Sequence, residues 1–206
     1  ASATDGALSI IYKIFGDVTK ILSEKKTGDT VELMGPLGNT FTNWKNGSYP
    51  ILVGGGVGLA PILNLKHECD SNKVDHTIII GARTGNEHFM THEPDNDIYL
   101  TSDDGKNGEK GNVMGPLERI IHEKNNPYIY ACGPEPMLEA VGKFAMSNNV
   151  PAQLSVESYM GCGIGLCQGC VVSRQNGEVK DHSYHQKYSL VCLDGPVYEA
   201  KDIHIG

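Results

Sequence analysis

The chain has 206 residues, of which 39% are hydrophobic, and a formal net charge of -8. An acidic surplus disfavours binding to nucleic acid or to an anionic membrane, because both need basic protein surfaces. No apolar run reaches the roughly 18 residues of a transmembrane helix, and the first residues, ASATDGALS, lack the features of a signal peptide. With six cysteines and nothing that argues for secretion, we expect a protein of the reducing cytoplasm.

The first part of the chain predicts two strands around a helix. Leu8–Phe15 (LSIIYKIF) is rich in β-branched and aromatic residues, which is typical of a strand. Asp17 is placed to cap a helix over Val18–Lys26, and Thr30–Met34 predicts a second strand that ends at the turn-forming residues 35–38. These three elements do not close a core by themselves.

From Pro50 onwards, short apolar strands alternate with helices. Residues 39–49 before it form a polar connection, which predicts a domain boundary near Ser48. The alternation predicts a parallel sheet with helices on both faces. The strands of this sheet are expected at Ile51–Val53, His76–Ile80, Asp97–Thr101 and Tyr128–Tyr130, and a further strand, Ala152–Glu157, is expected to lead into the cysteine-rich stretch. The helices are expected at Leu59–Cys69, Val113–Lys124 and Pro134–Ser147.

The carboxyl ends of the expected strands carry glycine and polar residues. Ligands of parallel sheets bind at these ends, and glycines between a strand and a helix let a pyrophosphate approach the helix amino terminus. The first such turn, GGGVGLAP, departs from the G-x-G-x-x-G fingerprint, and alone it is as often only a tight turn. Four such ends together favour a nucleotide site. They are Gly54–Pro61, Gly81–Arg83, Thr101–Gly105 and Cys132–Met137.

A cysteine-rich stretch near the carboxyl terminus is the strongest motif. Cys162, Cys167 and Cys170 stand as C-x4-C-x2-C in ESYMGCGIGLCQGCVV, and Cys192 follows after 21 intervening residues. This is the plant-type ligand pattern of a two-iron, two-sulfur (2Fe–2S) cluster. The loop must turn sharply around the cluster, and glycines allow such turns. The glycines in the stretch are Gly161, Gly163, Gly165 and Gly169.

Two other interpretations of these cysteines are weaker. Structural zinc sites favour two C-x2-C pairs, and only one occurs here. Disulfides would need an oxidising compartment, for which nothing in the sequence argues. Cys69 and Cys132 are then expected to be free thiols.

Together these segments resemble the electron-transfer subunit of the dihydroorotate dehydrogenase B type, within the wider ferredoxin–NADP reductase group. The resemblance runs from Leu8 to Ile203 and rests on LSIIYKIFGDVTKILSEKKTGD, MGPLGNTF, LVGGGVGLAP, YACGPEPML and the cysteine stretch with VCLDGPVYEA. The glycine turn and the CGP motif are shared across the reductase group. The cysteine loop followed by C-x-DGPV is far more specific.

The resemblance implies a role in pyrimidine biosynthesis. A partner subunit carrying FMN would oxidise dihydroorotate, and the two kinds of subunit would form a heterotetramer. This chain would relay the electrons through a 2Fe–2S cluster and FAD to NAD. The combination is chemically consistent, because a two-iron cluster moves one electron, nicotinamide accepts two, and a flavin converts between them.

The resemblance also implies site residues. Contacts with FAD are expected at Ile11, Tyr12, Lys13 and Thr19, although Val18 stands where the family usually has glycine. Contacts with the nicotinamide nucleotide are expected at Gly54, Gly55, Gly56 and Gly58. Cys132, with Gly133, is expected near the position of hydride transfer.

The fold implied by the resemblance is α/β plus β, in three domains. We expect a partial FAD-binding barrel over residues 1–47, an NAD-binding α/β domain over 48–150 and a small β-rich 2Fe–2S domain over 151–206. The family's barrel begins some tens of residues before Leu8 and includes an Arg-x-x-Ser type motif that holds the flavin. No arginine precedes Gly54 here, so the barrel is expected to be incomplete.

Two alternative functions remain at this point. The gamma-type diaphorase subunit of cytoplasmic hydrogenases or sulfite reductases uses similar modules with another partner. A non-enzymatic iron–sulfur electron carrier, folding without flavin, would explain a missing half-barrel.

Overall fold

The computed structural model describes residues 2–4, 6–175 and 184–205. The α-helices are α1 (Asp17–Ser23), α2 (Leu59–Ser71), α3 (Met114–Ile120), α4 (Glu135–Ser147) and α5 (Tyr184–Lys187). The first strands are β1 (Ser2–Thr4), β2 (Ala7–Ser9), β3 (Tyr49–Gly55), β4 (Thr77–Ala82), β5 (Ile98–Ser102) and β6 (Glu109–Lys110). The later strands are β7 (Pro127–Cys132), β8 (Ala152–Ser155), β9 (Val171–Arg174), β10 (Tyr188–Leu190), β11 (Val197–Glu199) and β12 (Ile203–His204).

A seven-stranded sheet forms the centre of the molecule, in the order β11-β8-β7-β3-β4-β5-β6. All neighbours in it are parallel except β11 and β8, which are antiparallel. The expected strands and helices from Pro50 onwards are confirmed, with small shifts of their ends. The largest shift is in α3, which ends at Ile120 because residues 121–123 continue as turns.

Both faces of the sheet are buried, which is why its strands are continuous apolar runs. Ile51 and Val53 of β3 point to the face covered by α3 and α4, where they share a core with Leu117 and Leu138. Leu52 points the other way and packs with Ile62 of α2. Since successive side chains of a strand face opposite sides, a single apolar strand supplies both cores.

The carboxyl-terminal part joins the same structure in two ways. Strands β10, β9 and β12 form a separate antiparallel sheet. Strand β11 instead extends the central sheet, with Tyr198 opposite Leu154 of β8. Cys170, Cys192 and Ile203 lie in the core that also holds α4, so the cysteine region is packed directly on the nucleotide-type domain.

The first residues differ from the expectation. The strand predicted over Leu8–Phe15 is wrong beyond Ser9, since only Ala7–Ser9 pairs, and only with β1. Thr30–Met34 is not a strand either. A strand needs a hydrogen-bonding neighbour, and within the described part of the chain residues 10–15 and 30–34 have none. Their apolar side chains are accordingly exposed, Phe15 to 88% and Leu33 to 65%.

Helix α1 forms where the sequence places it, but its start differs in detail. Gly16, not Asp17, is the residue before the helix, and Asp17 lies in the first turn. The hydroxyl of Thr19 accepts a hydrogen bond from the backbone N–H of Phe15 at 2.7 Å. The cap expected from Asp17 is wrong, because among the described residues no side chain caps the first helical N–H groups, and Thr19 instead ties Phe15 and Gly16 to the first turn of the helix.

The chain becomes anchored to the core at residues 39–42. Phe41 is buried and meets the ring of Tyr130 edge-on, at 5.6 Å between centroids. Thr42 donates its backbone N–H to Gln153 at 2.9 Å, and its carbonyl accepts the Tyr130 hydroxyl at 3.0 Å. Residues 39–42 thus bind the amino-terminal part to the sheet.

Candidate functional site

The glycine-rich turn joins β3 to α2 at the carboxyl edge of the sheet. Gly54 and Gly55 end the strand, Gly56–Gly58 form a single 3-10 turn, and α2 begins at Leu59. Gly54 lies opposite Ile80 of β4 and Cys132 of β7, so the three strand ends meet here as expected. The first backbone N–H groups of α2 face this edge without helical partners, which suits an anion.

Gly58 is in close contact with the CGP turn that follows β7. A Cβ atom on Gly58 would lie 2.5 Å from both the carbonyl carbon of Cys132 and the nitrogen of Gly133. Any other residue would force the two loops apart. The two segments expected to line the nicotinamide nucleotide therefore form one continuous surface.

Cys132 is a buried, protonated thiol at neutral pH. Its side chain is 4% exposed, and burial raises its pKa to about 11. A thiol in this state is a weak nucleophile and does not bring a negative charge to the site. Cys132 can shape the site and exclude water from it.

The neighbouring strand ends are also built as polar turns. The side chain of Asp104 accepts hydrogen bonds from the backbone N–H groups of Gly85 and Lys106, at 3.0 and 3.1 Å. The N–H of Lys106 is the main cause of a lowered pKa for Asp104. Ser102 donates its hydroxyl to the carbonyl of Lys106 at 2.9 Å, which closes the turn. Arg83, at the end of β4, is exposed.

A cavity of about 370 Å³ lies behind the CGP turn. Gly133 and Pro134 form one wall, and Val172 of β9 and His204 of β12 contribute to the other. The nucleotide-type domain and the cysteine region therefore share a cleft.

The four cysteines of the motif come together as two pairs. The backbone N–H of Cys167 donates to the sulfur of Cys162 at 3.3 Å, and that of Cys192 donates to the sulfur of Cys170 at 3.5 Å. Cys170 and Cys192 are buried, whereas Cys167 is exposed. All six cysteines lie in the described part of the chain, and there they are free thiols.

The first pair is prepared to bind a cation. The backbone N–H groups of Cys167 and Ile164 lower the pKa of Cys162 to about 6. The thiolate is the metal-binding form of cysteine, so this lowering favours coordination. In the second pair, the hydrogen bond with Cys170 raises the pKa of Cys192.

The two pairs give the grouping of donors that a two-iron cluster uses. In a 2Fe–2S cluster held by four cysteines, each iron takes two thiolates. Cys162 lies with Cys167, and Cys170 lies with Cys192, so the four expected ligands are present as two sets of two.

The residues expected to contact FAD lie on an exposed part of the surface. Ile11 and Tyr12 are 57% and 38% exposed, and Lys13 is exposed beside them. The hydroxyl of Thr19 is engaged locally, with Phe15 and Gly16. The structure does not gather these four residues into an enclosed pocket.

One residue at the site had no signal in the sequence. Asn39 lies 153 positions before Cys192, yet it hydrogen-bonds with residues 194–197, directly after that cysteine. A polar residue in a GPLGN turn is ordinary, and only its long-range contacts distinguish it. The carboxyl-terminal motif VCLDGPV is visible in the sequence, but the residue that binds it is not.

Two family models match the chain. The oxidoreductase NAD-binding domain covers residues 52–143, and the iron–sulfur cluster binding domain of dihydroorotate dehydrogenase B covers residues 157–204. The fold and the site therefore define an iron–sulfur oxidoreductase of the NAD-linked class.

Relatives make the assignment more specific. This chain is similar to electron transfer subunits of dihydroorotate dehydrogenase B (NAD(+)) from three organisms. It is 37% identical to that of Caldanaerobacter subterraneus subsp. tengcongensis, and 36% identical to those of Geobacillus sp. and Bacillus caldolyticus. The matches cover 95–96% of this chain and 73–75% of those proteins. The chain belongs to the family of dihydroorotate dehydrogenase B electron transfer subunits. This finding favours an electron-transfer subunit of dihydroorotate dehydrogenase over a diaphorase subunit and over an isolated electron carrier.

A solved structure agrees with this family. The structure of an NADH-dependent reduced ferredoxin–NADP oxidoreductase, a flavin-based electron-bifurcating system, superposes with a TM-score of 0.77 at 29% identity. The match covers 94% of this chain and 67% of that one.

Within the described residues, no helix has the length and apolar character needed to span a membrane.

Proposed function

We propose that this chain connects the oxidation of dihydroorotate on a partner subunit to the reduction of NAD, in pyrimidine biosynthesis. The observation that carries the proposal is the grouping of four cysteines into two pairs, packed on a domain with a glycine-rich nucleotide turn. A 2Fe–2S cluster supplies one-electron transfer, and FAD couples it to the two-electron chemistry of nicotinamide.

Cys162, Cys167, Cys170 and Cys192 are the cluster ligands in this proposal. The first two would hold one iron and the last two the other, as their hydrogen bonds suggest. Donation of backbone N–H groups to the sulfurs stabilises the thiolates and tunes the reduction potential. Because cysteine thiolates must stay reduced to act as ligands, we also propose a cytoplasmic location.

The nucleotide part of the proposal rests on the glycine turn. Gly54, Gly55, Gly56 and Gly58 would let the NAD pyrophosphate approach the start of α2. Cys132 and Gly133 would lie beside the nicotinamide, where the uncharged thiol of Cys132 would help to keep water out.

We assign the FAD contacts to Ile11, Tyr12, Lys13 and Thr19, in a flavin-binding domain that includes residues 1–47. The exposed apolar side chains there, such as Phe15 and Leu33, support a role in a larger flavin-binding unit. Residues 48–150 would be the NAD-binding domain and 151–206 the 2Fe–2S domain.

We place the catalytic partner, an FMN-containing subunit in a heterotetramer, over the cysteine loop. Apolar side chains exposed around it support a docking surface there. Tyr159 is 96% exposed, Leu166 79% and Leu193 54%. Contact at this loop would bring a partner's cofactor close to the sulfurs.

Anaerobic purification followed by iron and sulfide analysis tests the proposal. We expect two irons and two sulfides per chain, and a rhombic electron paramagnetic resonance (EPR) signal after reduction with dithionite. Bound zinc without iron would contradict the cluster. With a candidate FMN subunit and FAD added, dihydroorotate should reduce NAD, and a lack of NAD reduction by the FAD-loaded complex would contradict the proposed function.

A further inference from the structure

Asn39 makes four hydrogen bonds with the turn that follows Cys192. Its backbone N–H donates to the carbonyl of Gly195 at 2.6 Å. Its side-chain Nδ2 donates to the carbonyls of Asp194 and Val197, at 2.7 and 2.8 Å. Its Oδ1 accepts the N–H of Val197 at 2.8 Å. One amide thus satisfies three backbone groups that are remote in sequence.

The turn held by Asn39 is the one that carries Cys192. The backbone N–H groups of Leu193 and Asp194 both donate to the carbonyl of Leu190, at 3.0 and 2.8 Å. The carboxylate of Asp194 accepts the N–H of Leu190 at 3.1 Å and the hydroxyl of Ser189 at 2.7 Å. Residues 189–194 therefore form one compact unit. A shift of the backbone at Asp194 would also shift Cys192.

The residues just before Asn39 lie against the other half of the cysteine loop. A Cβ atom on Gly163 would lie 3.3 Å from the terminal carbon of Met34 and 3.5 Å from Leu37. Gly165 is in turn covered by Leu193, whose Cδ1 would lie 2.4 Å from a Cβ there. Residues 34–39 therefore contact both sequence segments that carry the cysteine pairs.

We propose that Asn39 is a positioning residue of the iron–sulfur site. It holds the backbone of residues 194–197, and through it the pair Cys170–Cys192, against the last part of the proposed flavin domain. The proposal rests on the assignment of the four cysteines as cluster ligands. It extends that assignment, because Asn39 touches neither the sulfurs nor any expected cofactor contact.

The chemistry of the amide explains why asparagine stands here. Alanine would leave the N–H and the carbonyl of Val197 without these partners in a partly buried place, which is costly, and would also remove the more exposed bond to Asp194. Aspartate would keep the acceptor for Val197 but would turn a negative oxygen towards two carbonyl oxygens. Only a primary amide gives one acceptor and two donors at this length.

The test measures the rate at which a strong iron chelator removes the cluster from the anaerobic protein. Loss of the two side-chain donors and the acceptor should accelerate removal about tenfold in Asn39→Ala. We also expect a broadened or shifted EPR signal of the reduced protein, since the Cys170–Cys192 pair would sample more geometries. If Asn39→Ala does not fold, the near-isosteric Asn39→Asp should show the same acceleration.

Two controls separate positioning from general destabilisation. Asn46→Ala removes a nearby asparagine whose side chain, among the described residues, bonds to Asn43, so the chelation rate of this variant should equal that of the wild type. Ile78→Ala lowers stability in the buried core at β4, which three strands separate from β11. This variant should leave the EPR signal unchanged, even if its melting temperature falls as far as that of Asn39→Ala.

The outcomes are distinct. A wild-type protein that binds no cluster contradicts the ligand assignment and this proposal together. If the wild type binds the cluster, and the chelator removes it from Asn39→Ala and Asn39→Asp no faster than from the wild type, this proposal alone is overturned. Equal acceleration and an equal EPR change in Ile78→Ala also overturn it.

Discussion

Gly58 packs against the backbone of Cys132 so closely that no Cβ atom fits between them. The contact joins the start of α2 to the end of β7, which are 74 residues apart in the chain. It makes the nucleotide turn and the CGP turn a single structural unit. A change at either residue should therefore affect both NAD binding and stability.

Gly58→Ala should lower the free energy of unfolding by about 1–3 kcal/mol, because a Cβ atom overpacks a rigid backbone contact. It should also weaken NADH binding, measured by fluorescence titration. Gly115→Ala in α3 is the matched control, since a Cβ there meets nothing within 4 Å. The control should bind NADH normally and gain about 0.5–1 kcal/mol in stability. Normal NADH binding by Gly58→Ala would contradict the assignment of this turn to the NAD site.

Cys192→Ser should abolish the iron signal or leave a small, labile fraction of it, because serine is a poor substitute for a buried thiolate ligand. Cys69→Ser is the control, as Cys69 is also buried but lies in α2, in the other core. It should keep full iron content despite some loss of stability. Iron analysis and EPR of both variants, prepared anaerobically, measure the difference. Full iron in Cys192→Ser would remove this residue from the ligand set.

Alkylation of the iron-free protein should distinguish two cysteines by their pKa. The thiolate reacts, and Cys162, with a pKa of about 6, is already ionised at pH 7. Its rate of reaction with iodoacetamide should be constant above neutral pH and fall as the pH drops through 6. Cys132, with a pKa of about 11, should stay unmodified at pH 8. Mass spectrometry of tryptic peptides gives both rates, and faster labelling of Cys132 would be the opposite result.

The ion pair of Lys124 and Asp97, 2.7 Å apart, should stabilise the opposite edge of the sheet. Burial opposes ionisation of Asp97, but hydrogen bonds from Lys124 and Thr77 lower its pKa on balance. Lys124→Met should therefore cost about 1 kcal/mol at pH 7, a modest amount because both side chains are partly exposed.

The pH dependence gives the sign of that effect. A carboxylate with a lowered pKa contributes stability above its unfolded value of about 3.9 and loses it as the pH falls through the folded pKa. The difference between wild type and Lys124→Met should thus shrink below pH about 4. Urea unfolding at several pH values measures it. Lys143→Met removes an exposed ion pair with Glu139 and is the control, since it should change the free energy of unfolding little. An undiminished difference between wild type and Lys124→Met at pH 3 would exclude this explanation.

Much of the fold from Pro50 onwards is legible in local patterns. The apolar run at residues 51–53 and its glycine turn predict a buried parallel strand, and Leu59, Ile62, Leu65 and Cys69 mark the buried face of α2. Such elements carry their own periodicity, and burial on both faces leaves few alternatives. The strand predicted at Leu8–Phe15 shows the limit. Its composition is suitable, but a strand also needs a neighbour, and composition does not supply one.

The sequence by itself determined which residues can do the chemistry: four cysteines at a ligand spacing, and glycines where a strand meets a helix. Tertiary structure decided how they are grouped. It pairs Cys162 with Cys167 and Cys170 with Cys192, and places Asn39 beside the turn that carries Cys192. The physical reason is that these contacts join segments up to 158 residues apart, where side-chain packing and backbone hydrogen bonds, and not local preference, choose the partners.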